Sequence, residues 1–130
     1  MQLEFYVLNY NINAKKVENF NIFRNSRVNR ETIKAVKKYL RAPRKYEYKD
    51  WTKKTSIFGF DGLKEEIRHI IMCEEWARCE YEISVGDAFE SDPSKLEKWD
   101  CYRQAVANID IITRDVIAQY KMKLKEENDA

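Results

Sequence analysis

The chain has 130 residues, 44% of them hydrophobic and 35% charged, with a formal net charge of +2. Leu, Ile, Val and Phe fill 31 of the 130 positions, above the roughly one-fifth level below which a charged chain stays disordered, so a single core is expected and fibrous or disordered classes are excluded. No apolar run approaches the ~18–20 residues of a membrane span. Three cysteines behind an opening that lacks a secretory layout read as reduced thiols in a cytoplasm.

The small net charge hides a strong polarity. Residues 1–54 hold 14 Lys/Arg against 5 Asp/Glu, and residues 55–130 hold 10 against 17. The basic part is suited to phosphates or an acidic protein surface. The two parts are equally suited to attracting each other inside one domain.

Leu3 to Leu8 is rich in β formers, Asn11 to Lys16 is a polar turn, and Val17 to Phe23 alternates imperfectly, which together predict a hairpin. A short helix is expected from Asn29 or Arg30, with Ile33, Val36 and Leu40 on one face and Pro43 ending it. Arg44 to Phe60 reads as an irregular strand pair or a long loop. Asp61 is the expected N-cap of a second helix reaching about Arg78, buried around much of its circumference. Cys79 to Val85 alternates apolar and polar and predicts a strand. A third helix is expected over about 95–124, with Trp99, Tyr102, Val106, Ile109, Thr113, Val116, Ile117, Tyr120 and Leu124 at steps of three and four, followed by a frayed polar tail at 125–130. The expected architecture is one α+β domain over 1–130. A small antiparallel sheet of three or four strands (2–23, 79–86 and 45–58) packs against three helices, the C-terminal one long.

Catalytic and metal chemistry find little support. His69, Cys73, Cys79 and Cys101 are ligand types for zinc, but their spacing fits no knuckle, and buried small hydrophobes together with a core histidine are the simpler reading. The carboxylates between Glu80 and Asp100 read as a solvated acidic face rather than a magnesium site. Gly59, Gly62 and Gly86 are the only glycines, too few for a phosphate loop. The chain is therefore not expected to be an enzyme, nor to carry a metal or cofactor.

Two constellations suit binding instead. Arg41, Arg44, Lys45, Tyr48, Lys49, Trp51, Lys53 and Lys54 interleave cations with rings, a composition that serves phosphates and unpaired bases, protein hot spots, or ordinary hairpin packing. On the third helix, Ile109, Val116, Ile117 and Tyr120 extend an apolar stripe along roughly 45 Å of helix, longer than the rest of the chain is expected to cover. That stripe predicts packing against a second copy or a partner.

Trp76 to Asp87 with Lys98 to Tyr102, and Phe5 to Asn9 with Ala35 to Leu40, resemble small proteins encoded in phages and prophages of low-GC Gram-positive bacteria. The resemblance implies action by binding inside a host bacterial cell, with inhibitors of bacterial defence proteins such as anti-CRISPR proteins as the leading expectation. A nucleic-acid-binding accessory protein using the 41–54 patch is the alternative. The resemblance carries no site residues with it.

Overall fold

The computed structural model describes residues 1–11, 16–84 and 101–129, with side chains described outside 7–20 and 75–84. β1 (Tyr6–Asn11) and β2 (Lys16–Asn21) form an antiparallel hairpin in which Tyr6 lies opposite Asn21 and Asn11 opposite Lys16. A 3-10 turn, Ile22–Arg24, follows, capped by the Asn21 side chain, and it drops Ile22 and Phe23 into the core. α1 (Ser26–Arg41) starts earlier than Asn29 because Asn25 is its N-cap: Asn25 Oδ1 accepts from the Arg27 and Val28 amides at 3.0 and 3.1 Å. β3 (Glu47–Asp50) and β4 (Thr55–Phe58) form a second antiparallel hairpin that runs straight into α2 (Gly59–Ser84). A helical stretch at 101–107 (α3) and α4 (Ile109–Asp129) complete the described chain.

The α+β class holds, but its sheet differs from expectation. β1–β2 and β3–β4 are separate two-stranded sheets. The expected connecting strand at 79–85 is helical as far as Ser84, with Val85 outside the described residues. Seven residues of alternation compete poorly with a helix already running for five turns, because extending a formed helix fixes one residue per hydrogen bond gained. The spacing Trp76, Cys79, Glu80, Ile83 also fits a helix, and no Gly or Pro intervenes after Gly62.

The C-terminal helix is divided rather than continuous. At Asn108 the backbone amide donates to Gln104 O (3.0 Å) and Ala105 O (3.2 Å), the side-chain amide takes the Gln104 carbonyl at 2.8 Å, and the helical pattern resumes with Ile112 N to Asn108 O at 3.0 Å. An Asn side chain competing for a backbone carbonyl is a known helix interrupter. Residues 95–100, and Trp99 with them, lie outside the described residues. The segment 125–129 is helical rather than frayed.

The core gathers Leu3, Ile22, Phe23, Val28, Val36, Leu63, Ile67, Ile71, Ile112 and Val116, all fully buried. Its lid is the N-terminus. Leu3 N donates to Asn29 Oδ1 at 2.9 Å, and Glu4 exchanges backbone hydrogen bonds with the Gln119 side chain at 2.6 and 2.8 Å. These contacts correct the expected helix interface. Ile109, Val116 and Tyr120 are buried inside the chain itself, so these residues of the stripe serve its own core, with Ile117 half-buried against them. Ile111 and Met122, 61% and 63% exposed, sit singly on the outer side of α4.

Ile112→Ala should accordingly destabilise the fold by about 2–5 kcal/mol. Its unfolding midpoint, like that of the wild type, should not depend on protein concentration. A stripe shared between copies would give a midpoint that rises with concentration in thermal melts.

Candidate functional site

The β3–β4 hairpin owes its position to two glycines and a buried tyrosine. Tyr46, 2% exposed, lies edge-on to Tyr39 with ring centroids 5.8 Å apart, and Lys38 Nζ sits 5.2 Å from its centroid. The Tyr46 carbonyl receives the Gly59 amide at 2.8 Å, and Gly59 takes φ +68°, a conformation few other residues accept. At Gly62 a Cβ would fall 2.5 Å from the Ile57 carbonyl oxygen, so the hairpin rests directly on the backbone of the first turn of α2.

At the far end, Asp50 organises the turn. Its Oδ1 accepts from the Thr52 amide (3.1 Å), the Thr52 hydroxyl (2.6 Å) and the Lys53 amide (3.3 Å). The Thr52 hydroxyl bond is the main reason the Asp50 carboxyl titrates below its ordinary value. Lys54 occupies the left-handed region at φ +52°. The turn thereby holds Trp51 out in water, 81% exposed, with Lys49 Nζ 5.8 Å from its ring centroid.

Between this hairpin, the end of α1 and α2 lies an open cleft of about 450 Å³ lined by Lys38, Lys45, Glu47, Tyr48, Lys49, Trp51 and Glu66. Tyr48 leans toward α2, its ring centroid 6.2 Å from that of His69. Burial, aided by Asp50, Glu65 and Cys73, raises its phenol above the ordinary value, so it is a neutral hydroxyl at pH 7. Lys53 pairs with Asp50 at 4.0 Å. Among the described residues, Lys38, Arg44, Lys45, Lys49 and Lys54 enter no ion pair.

Four of the eight residues expected in the patch, Lys45, Tyr48, Lys49 and Trp51, line one cleft, and Lys53 and Lys54 share the turn that carries Trp51. Arg44 is exposed on the approach to β3. Arg41 faces elsewhere, in a groove of about 260 Å³ with Lys37, Leu40, Tyr120 and Leu124. Sequence reasoning missed Lys38, Glu47 and Glu66. For Glu66 no sequence signal exists, because it reaches the cleft only through the packing of α2 under the hairpin.

The thiol and imidazole groups correct another expectation. His69 and Cys73 are exposed, not core, with Nε2 and Sγ 3.3 Å apart one helical turn from each other, and Met72 is exposed beside them. Leu63, Ile67, Ile70 and Ile71 fill the buried face, leaving this side of α2 to solvent. Cys101 is buried, and the side chain of Cys79 lies outside the described residues. Among the described residues no three His, Cys, Asp or Glu side chains gather to hold an ion. The acidic residues Glu80 to Asp100 also lie outside the described side chains.

Two outcomes test this geometry. Gly62→Ala should destabilise the protein by about 1–3 kcal/mol, because the atom in the way is a backbone carbonyl that cannot swing aside. Thermal or urea unfolding measures it. Glu66 has its carboxyl pKa raised, chiefly by burial, with Lys38 opposing, Glu31 adding and His69 opposing. The folded chain thus holds the Glu66 proton more tightly than the unfolded chain, and the contribution of this group to stability falls as pH rises from about 4.3. Glu66→Gln should melt higher than the wild type at pH 7, with the difference closing near pH 3.5. Comparison of the chain with protein family models, with curated proteins and with solved structures found no match.

Proposed function

We propose that this chain acts by binding rather than by catalysis, and that its working surface is the β3–β4 hairpin with the adjoining cleft, which takes a polyanion, nucleic acid foremost. One observation carries the reading: Trp51 stands 81% exposed on a turn beside Lys49 and Lys54, which enter no ion pair among the described residues. Unpaired lysines repel one another and gain most from a partner that brings negative charge. The cations flanking the cleft are Lys38, Lys45 and Lys49. Protein interfaces are depleted in Lys and enriched in Arg, whereas phosphates accept either, which favours nucleic acid over an acidic protein.

A second reading uses the same surface. An exposed Trp is also a common anchor of protein hot spots, and the resemblance to phage and prophage proteins supports an inhibitor of a bacterial defence protein in a host cytoplasm. No helix among the described residues is long and apolar enough to cross a membrane.

Anisotropy of a labelled oligonucleotide titrated across a series of salt concentrations tests the leading reading. With about four phosphates engaged, log Kd should change with log salt at a slope of about 3 in magnitude, and Lys45→Glu with Lys49→Glu should abolish binding at low salt. Absence of binding at low salt overturns it. A complex with a defence protein that barely responds to salt would favour the second reading.

A further inference from the structure

We infer that the nucleic acid taken by this surface is single-stranded, with one unpaired base lying on the Trp51 ring and its flanking phosphates on Lys45, Lys49 and Lys38. The inference rests on the reading of the hairpin as a polyanion surface and goes beyond it in strandedness and in the part each side chain plays. In a duplex the bases are stacked on each other, and a bound protein meets phosphates and groove edges. A flat indole raised into solvent on a four-residue turn has nothing to stack on there. Unpaired bases offer a π face at every nucleotide, and aromatic stacking on them tolerates any sequence.

The placement of the ring agrees with this use. Trp51 is not buried in its own hairpin, and Asp50 fixes the turn beneath it through three hydrogen bonds. The ring is thereby presented without a loop having to order on binding. Lys49 Nζ already lies over one face of the ring, 5.8 Å from its centroid, so a cation stands within reach of the backbone of a base stacked on the other face. Beyond it, Lys45 and Lys38 continue the positive rim of the same cleft.

The cleft also holds two carboxylates, Glu47 and Glu66. They repel phosphates and accept hydrogen bonds from the N–H donors that every base carries, so the sugar–phosphate chain is kept to the lysine rim. The cations of the cleft are all lysines. A lysine is a point charge without the planar fork that reads guanine in a groove, and little sequence preference follows.

The test compares three labelled probes at one salt concentration: a single-stranded oligothymidylate, a single-stranded oligouridylate and a mixed-sequence DNA duplex of equal length, with heparin as a base-free competitor. Either single strand should bind about tenfold or more tightly than the duplex. Trp51→Ala should weaken single-strand binding about tenfold and leave duplex binding and the salt slope unchanged, while Trp51→Phe recovers part of the loss. Lys49→Ala should lower the slope by about 0.7 instead. Because Trp51 is exposed, circular dichroism and melting of Trp51→Ala should match the wild type. If duplex, single strand and heparin compete equally and Trp51→Ala has no effect, the surface reads phosphate alone, and this inference fails while the polyanion reading stands. If none of the probes binds at low salt, both fail.

Discussion

The apolar face of α2, with Leu63, Ile67 and Ile71 fully buried and Ile70 nearly so, must leave water, and two helices and the second hairpin are arranged to cover it. α1, α4 and both strands of the second hairpin pack against this helix. Polar clips fix the angle between α1 and α2. The Asn25 side chain that caps α1 also donates to Glu74 at 2.8 Å, Arg27 pairs with the same carboxylate at 3.2 Å, and Arg27 Nη2 reaches the Ile70 carbonyl at 3.0 Å. At the other end of α2, Arg114 of α4 lies 4.7 Å from the centroid of Phe60. Burial supplies the stability and these contacts choose one arrangement of the helices.

The binding hairpin inherits its rigidity from that helix. Gly59 and Gly62 let backbone meet backbone, Tyr46 is sealed beneath, and Tyr48 leans on His69, so the inner side of the hairpin is fixed while its outer side is left to lysines and Trp51. Among the described residues the charge polarity of the chain is only slightly neutralised. Among ion pairs between described residues, Arg27–Glu74 joins the basic first part to the acidic second part. The others, such as Lys34–Glu31, Lys64–Asp61 and Arg114–Asp110, stay within one part. Exposed pairs of this kind add little to stability. The cations near the cleft therefore matter more for what they attract than for how the chain folds.

How much of this was legible in the sequence depended on whether the signal was local. Pro43 marks the end of α1, and the strand pair between Arg44 and Phe60 is visible in its aromatic content, because both are decided within a few residues. The N-cap at Asn25 was hidden among seven asparagines before residue 30, any of which suits a turn. Cys79 to Ser84 carries a short alternating run that fits both periods, and the helix reaching it from Gly59 decides between them. His69 departs from expectation for the opposite reason. Its apolar neighbours Ile70 and Ile71 are buried, but a residue one step away on a helix turns by about 100° and faces water. The cleft was half legible. Its hairpin residues lie together in sequence, while Lys38 and Glu66 arrive from two helices whose crossing no local pattern encodes.

The apolar stripe of the C-terminal helix shows why a surplus of hydrophobic surface in a sequence is a weak guide to partners. An uninterrupted helix of that length would have outrun the domain, but the interruption at Asn108 divides it. Tyr102 and Ala105 on one side and Ile109, Ile112, Val116 and Tyr120 on the other all reach the same core. What remains exposed on α4, Ile111 and Met122, is the scatter of single apolar residues that any globular surface carries. Trp51 differs from these in kind. It stands on a turn built by a dedicated carboxylate, beside a lysine that lies over its ring and others that enter no ion pair among the described residues. Exposure alone would say nothing, as Ile111 shows. Exposure joined to an ordered turn and to lysines that enter no ion pair among the described residues gives this surface a chemistry that internal packing does not use.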